Sequence, residues 1–247
     1  MLESREDAPV VLNKLREVVN TDVPRSQFTY PILEKIWKLS LLRRAVVQDV
    51  VQTMKYGFNA PKLCERVYVD IRKVNLWLPP NGDWWRESGR VLGGDWEDGI
   101  ESLETNRTLT YSKMHWLEGQ NWEKIRETLL KEGSAGVAEF AVLESLGSSS
   151  ETKRNVARAR LASYEKLYLE LADTKKFKSR SELPVPHFRE HGGILIHFDS
   201  KGRLIFGARG NHRFAIAKLL DLTRVPVMVG LVHPEVQSNW RDLTLSS

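Results

Sequence analysis

The residues best suited to chemistry lie together near the C-terminal end, in the run Gly207-Ala208-Arg209-Gly210-Asn211-His212-Arg213. A glycine-rich turn that opens directly into a helix presents backbone N–H groups without intrahelical acceptors, at the positive end of the helix dipole, and so offers a place for phosphate. Arg213 adds a fixed fork of donors suited to phosphate oxygens. Gly207, Ala208 and Gly210 are small enough to let a ligand approach the backbone, and Asn211 can cap the helix and donate through its amide. Gly207, Arg209, Gly210, Asn211, His212 and Arg213 are therefore the candidate phosphate- or nucleotide-binding residues. His212 is also a candidate catalytic group that polarises a transferring phosphoryl; the plainer alternative is a helix-start histidine that only packs.

A second candidate region runs from Asn81 to Gly99, where GDWWRESGRVLGGDWEDG holds too many breakers for regular structure and too many aromatics for an idle linker. The carboxylates considered are Asp70, Asp95, Glu97 and Asp98. Asp95 and Glu97 flank Trp96 in a glycine loop, where they could bind Mg2+ or take a proton, against the alternative that loop acids are simply solvated.

The elements that must position these groups are clearest around the first run. In GGILIHFDSKGRLIFG, Ile194, Ile196 and Phe198 alternate, Asp199-Ser200-Lys201-Gly202 forms a turn, and Leu204 to Phe206 returns, which predicts a hairpin. A helix follows with Phe214, Ala217 and Leu220 at three-residue steps, and Pro226 introduces VPVMVGLV as a buried strand. Upstream, Val67, Val69 and Ile71 alternate with polar residues as in a half-buried strand, closed by Pro79-Pro80.

Helices are expected at 10–20, at 31–57 from Pro31 to a stop at Gly57, at 108–118, at 121–132 with Asn121 as cap, at 135–146, and from the Ser150 cap to about Asp173. In the second of these, Leu33, Ile36, Trp37, Val46, Val50 and Met54 form an apolar stripe expected to pack on the rest of the fold, with Arg43 and Arg44 solvated. The basic start of the last, Lys153, Arg154, Arg158 and Arg160, either touches phosphate or faces water. His233 and Trp240 either close over a ligand or serve the structure.

The string GNHRFAIAKLLDLTRVPVMV resembles the G-x-x-R-x-x-A-x-x-x-L-G-x-x-x-I-P-V segment of the ParB/sulfiredoxin superfamily, matching at Gly210, Arg213, Ala217 through a shifted small position, Leu220, Pro226 and Val227. VYVDIRKVNLWLPP resembles the superfamily's opening strand and extended segment. The resemblance implies an α+β fold: a small mixed ParB/sulfiredoxin-like sheet with a large helical N-terminal extension (1–60), a first strand and Gly/Trp-rich loop (61–100), a helical insertion (101–180) and a C-terminal core part (181–247). It also implies a nucleotide or phosphate site at the glycine turn.

Members of the superfamily include chromosome-partitioning CTPases, ATP-using sulfiredoxins and free-serine kinases. Sulfiredoxins carry F-G-G-C-H-R, whose cysteine attacks; Asn211 stands at that position here, so the nucleophile is missing. The partitioning proteins continue into a helix-turn-helix domain, whereas 15 residues follow the last predicted strand here. The kinases pair a comparable G-x-H-R turn with carboxylates, which His212-Arg213 fits. ATP or another nucleotide, with Mg2+, is the implied cofactor.

Composition bounds the rest. With 247 residues, 41% hydrophobic and 28% charged, the chain can bury a sizeable core. Cys64 is the single cysteine, which excludes an intrachain disulfide and suits a reducing, cytoplasmic compartment. No stretch approaches the roughly 18 apolar residues of a membrane span, and no membrane insertion is expected. The net charge of +5 suits a nucleotide or phosphorylated small molecule, with nucleic acid as the alternative partner. Three readings follow: a nucleotide-dependent phosphotransferase (kinase) or NTP hydrolase, a non-catalytic nucleic-acid-binding or regulatory module, and an interaction scaffold that leaves the glycine turn empty.

Overall fold

The computed structural model describes residues 31–80, 87–131, 140–183 and 187–245. The helix expected at 10–20, residues 81–86 of the Gly/Trp-rich loop and the start of the helix expected at 135–146 lie outside them. The chain divides into two compact units, Met1–Arg44 and Ala45–Ser247, and the boundary falls inside helix α1, Pro31–Tyr56. The first unit is described only by the opening half of that helix.

The second unit is an α+β structure built on an open, mixed, seven-stranded sheet. The strands are β1 (Arg66–Val69), β2 (Leu76–Trp77), β3 (Arg90–Val91), β4 (Glu101–Ser102), β5 (Ile194–Phe198), β6 (Leu204–Phe206) and β7 (Val225–Val232). They run in the order β1-β7-β5-β6-β2-β4, with β3 pairing the second half of the β7 edge that β1 leaves uncovered. The central strands β5 and β7 are parallel and wholly buried, as their near-continuous apolar sequences require.

The 8-residue β7 and the hairpin β5–β6 fall where the sequence predicts them. Asp199, fully buried, accepts the N–H groups of Lys201 and Arg203 and the Nε of Arg203, which fixes the hairpin turn.

Between β4 and β5 stand α2 (Arg107–Trp116), α3 (Trp122–Lys131), α4 (Phe140–Leu146) and α5 (Glu151–Thr174); α6 (Asn211–Leu219) joins β6 to β7. The expected caps form: Ser150 accepts Lys153 N–H and Asn121 accepts Lys124 N–H. Ile194, Ile196 and Phe198 face the α6 side with Val225, Val227 and Val229, and Phe206 stacks on Phe214 at 3.9 Å between ring centres. Full burial of Phe214 stabilises by about 2–3 kcal/mol before the entropy of ordering it is counted. Lys218, at the far end of α6, donates to the carbonyls of Ile71, Arg72 and Val74 and to Asn75 Oδ1, tying the helix to the turn after β1.

The expectation for α1 needs correction. Val46, Val50 and Met54 are 63%, 52% and 83% exposed, because in this unit the helix docks by its polar face. Gln48 donates to the carbonyls of Ser88 and Gly89, Asp49 accepts from Leu63 N–H and Arg189, and Gln52 accepts Val91 N–H. The Gln48 and Gln52 bonds satisfy backbone groups at the β3 edge strand and the Asp49 bond satisfies Leu63 N–H, a task that apolar side chains cannot perform. The side chains of Leu33, Ile36 and Trp37 lie outside the described residues.

Candidate anion site at the start of helix α6

Gly210 is the N-cap of α6, in the left-handed region at φ 76°. A Cβ there would lie 2.9 Å from the carbonyl oxygen of Gly193 and 3.0 Å from Cα of Ile194, so the turn rests directly on the start of β5. Asn211 is therefore the first helical residue and not the cap expected from sequence; the cap position needs a residue without a side chain. Leu195 N–H donates to Arg209 O and Gly207 N–H to Leu195 O, which straps the turn to β5 on both sides.

Gly207 is required for a different reason. Its Cβ would stand 2.4 Å from His197 Nε2. His197 sits opposite two residues of β7, Gly230 and Leu231, because Ile196 pairs with Val229 and Phe198 with Val232. The bulge turns Leu231 N–H inward, and His197 Nδ1 accepts it at 2.7 Å. Nε2 then carries the proton, and burial pushes the imidazole down to about 3. Trp96 packs 5.7 Å away on this second face of the sheet. A buried histidine propping the glycine turn from beneath was not read from the sequence, where its alternation with Ile196 and Phe198 was the only clue.

Arg213 extends over the Phe177 ring at 4.8 Å, and one Nη donates to Lys178 O at 3.2 Å. Its other guanidinium nitrogen, Nη1, is enclosed and has no hydrogen-bond partner in the protein. Burial and the like charge of Arg180 lower its pKa to about 10 against the pull of Glu190. Glu190 is fully buried; Oε2 accepts Arg180 N–H at 3.0 Å, while Oε1 is enclosed without a partner. Burial raises its pKa, opposed by the Arg180 backbone bond and by the charges of Arg213, Arg180 and Arg66. Arg180 donates to Gly192 O at 2.6 Å. Sequence reasoning missed Arg180 and Glu190, which stand well before the motif and join it only through the fold.

His212 turns the other way. Its ring stacks on Tyr164 of α5 at 4.0 Å, and burial together with Arg160 pushes it down to about 4. It also lines a cavity of ≈ 10 Å³ with Thr108, Ser112, Trp122 and Leu161, space for about one water. A neutral imidazole held in this way packs α6 against the inserted helices.

Asp95 and Glu97 lie on a short turn, Asp95–Gly99. Asp95 is exposed, and Glu97 accepts Ser200 N–H at 2.6 Å and Ser200 Oγ at 2.8 Å, bracing the hairpin tip. Ser200 follows the end of β5 and Gly210 touches its beginning, so about 20 Å of strand separates them. The structure therefore does not bring these carboxylates to the glycine turn. Among the described residues no three His, Cys, Asp or Glu side chains gather as a metal site.

Of the remaining candidates, Asp70 pairs with Arg72, which lowers its pKa, and Asp98 is exposed. Arg154 binds the carbonyls of Ser148 and Ser149, while Lys153 and Arg158 face outward. Trp240 is buried and donates to Asn59 O, and His233 accepts Glu235 N–H, so both serve the structure.

No helix among the described residues is long and apolar enough to cross a membrane. Comparison with known protein families, curated proteins and solved structures finds no match.

Proposed function

We propose that the chain is a nucleotide- or phosphate-binding protein of the ParB/sulfiredoxin kind, with the phosphate held at Gly210–Arg213. The observation that carries this reading is the enclosed, unpaired Nη1 of Arg213 beside a helix start. A buried guanidinium donor without an acceptor costs about 1–3 kcal/mol or more, a cost that a bound oxyanion removes. The surplus of arginine over carboxylate around Glu190 has the same sense.

Two forms of the function follow. As a phosphotransferase or NTP hydrolase using ATP or another nucleotide with Mg2+, the protein would position phosphates through α6 and Arg213. As a binding module it would hold the nucleotide without turnover. The engagement of both Glu97 oxygens with Ser200, at the far end of β5, favours the second form.

Isothermal titration with ATP, ADP, CTP and GTP, with and without Mg2+, tests the reading. One nucleotide should bind to the wild type and lose at least about tenfold in affinity in Arg213→Ala, with thermal melting used to verify that the variant is folded. Failure of every nucleotide and of inorganic phosphate to bind would remove the reading.

A further inference from the structure

Arg213 Nη1 and Glu190 Oε1 are unmatched in opposite senses: the first is an enclosed donor without an acceptor, the second an enclosed acceptor without a donor. Glu190 Oε1 adjoins the backbone on which the glycine turn rests. A Cβ on Gly193 would lie 2.8 Å from Glu190 Oε1, and a Cβ on Gly210 would lie 2.9 Å from Gly193 O. Arg213 occupies the first turn of the helix that Gly210 caps. The two side chains also feel each other's charge, with Arg180 and Arg66 as the other charged groups acting on Glu190.

We infer that Glu190 is the specificity-determining acceptor of this anion site, receiving a proton carried by the ligand, so that the site takes phosphate groups and rejects sulfate. The inference rests on the reading of Gly210–Arg213 as a phosphate site and adds to it the chemical class of anion.

The reason lies in the proton inventory of the two ions. At neutral pH inorganic phosphate carries at least one proton, and a phosphate monoester can carry one; sulfate carries none. An oxyanion seated between Arg213 and Glu190 accepts from Nη1 and must present a donor to Oε1. Sulfate would instead set oxygen lone pairs against a carboxylate in a buried place, and a site built to receive a hydrogen bond discriminates strongly against a ligand that cannot give one. Sulfate can bind only if Glu190 first takes a proton from solvent. The raised pKa of Glu190 makes that uptake accessible at acid pH, so the discrimination should widen as pH rises.

The test is calorimetric titration of the full chain with inorganic phosphate and with sulfate at pH 7.5 and constant ionic strength, on wild type, Glu190→Gln and Arg213→Ala. Wild type should bind phosphate at least about tenfold more tightly than sulfate. Glu190→Gln should bring the two affinities together by admitting sulfate, because its amide can donate. A second measurement needs no variant: in buffers of different ionisation enthalpy, sulfate binding at pH 7.5, where the free carboxylate is ionised, should take up close to one proton.

Equal affinities in the wild type, or sulfate binding without proton uptake, would overturn the inference while leaving the phosphate reading in place if Arg213→Ala still abolishes binding. Neither anion binding the wild type would overturn the inference, and the phosphate reading falls with it if no nucleotide binds either.

Discussion

The glycine turn stands on His197, and that contact can be tested energetically. A methyl group at position 207 would sit 2.4 Å from His197 Nε2, 2.8 Å from Leu195 Cδ2 and 2.9 Å from His197 Cδ2. Ordinary carbon contacts lie near 3.5–4.0 Å, so the ring would have to move by about 1 Å. It has nowhere to go: Nδ1 is bound to Leu231 N–H, and a Cβ on Gly230 would meet the same ring at 2.3 Å from the other side. Gly207→Ala should therefore cost near the upper end of the overpacking range, about 3 kcal/mol.

His197→Ala removes the buried ring and orphans Leu231 N–H, again about 3 kcal/mol. In the double variant the new methyl enters the space vacated by the ring. Its loss should fall short of the sum by about 2 kcal/mol, within the range seen for residues in contact. Urea unfolding at pH 7 of the four proteins, with unchanged slopes as the check on two-state behaviour, measures this coupling. Additivity within about 0.5 kcal/mol would refute the clamp.

Glu97→Ala should lose the two hydrogen bonds to Ser200 and about 1–3 kcal/mol of stability, leaving phosphate affinity within twofold in the same titrations. A large loss of affinity would contradict the separation of the two ends of β5. The pH dependence of stability has a definite sign. His197 and His212 are held neutral, with pKa values of about 3 and about 4 against 6.5 for the unfolded chain. Their contribution is therefore present above pH 6.5 and is lost on acidification toward the folded values. Each can supply up to about 1.4 kcal/mol per pH unit in that window. Glu190, raised by burial, works in the opposite direction. Urea curves from pH 7 to pH 4.5 should show His212→Gln losing stability less steeply than wild type by close to one proton, and parallel curves would disprove the assignment.

Local patterning carried the β5–β6 hairpin, α6, β7 and the Ser150 cap, since each is decided by side chains within a few positions of one another. The Gly210 turn was legible for the same reason. Arg180 and Glu190 were not, because a short turn 30 residues before Gly210 and a buried carboxylate 20 residues before it gain meaning only from long-range packing. The α1 stripe misled for a related cause: apolar periodicity shows that a helix has two faces, but here Gln48 and Gln52 bind backbone at a short edge strand and Asp49 binds Leu63 N–H, and that selects the polar face for docking. His212 was read beside Arg213 as a pair, yet neighbouring helical positions point about 100° apart, and only Arg213 turns toward Glu190 while His212 meets Tyr164.

The central claim is that the start of α6 receives an anion. Amide NMR of the full chain titrated with inorganic phosphate at constant ionic strength tests it most directly. Progressive, saturable shifts of the Gly210, Asn211, His212 and Arg213 amides, absent in Arg213→Ala, are the result expected. Shifts confined to other basic stretches, such as the start of α5, or no saturable shift at all, would contradict it.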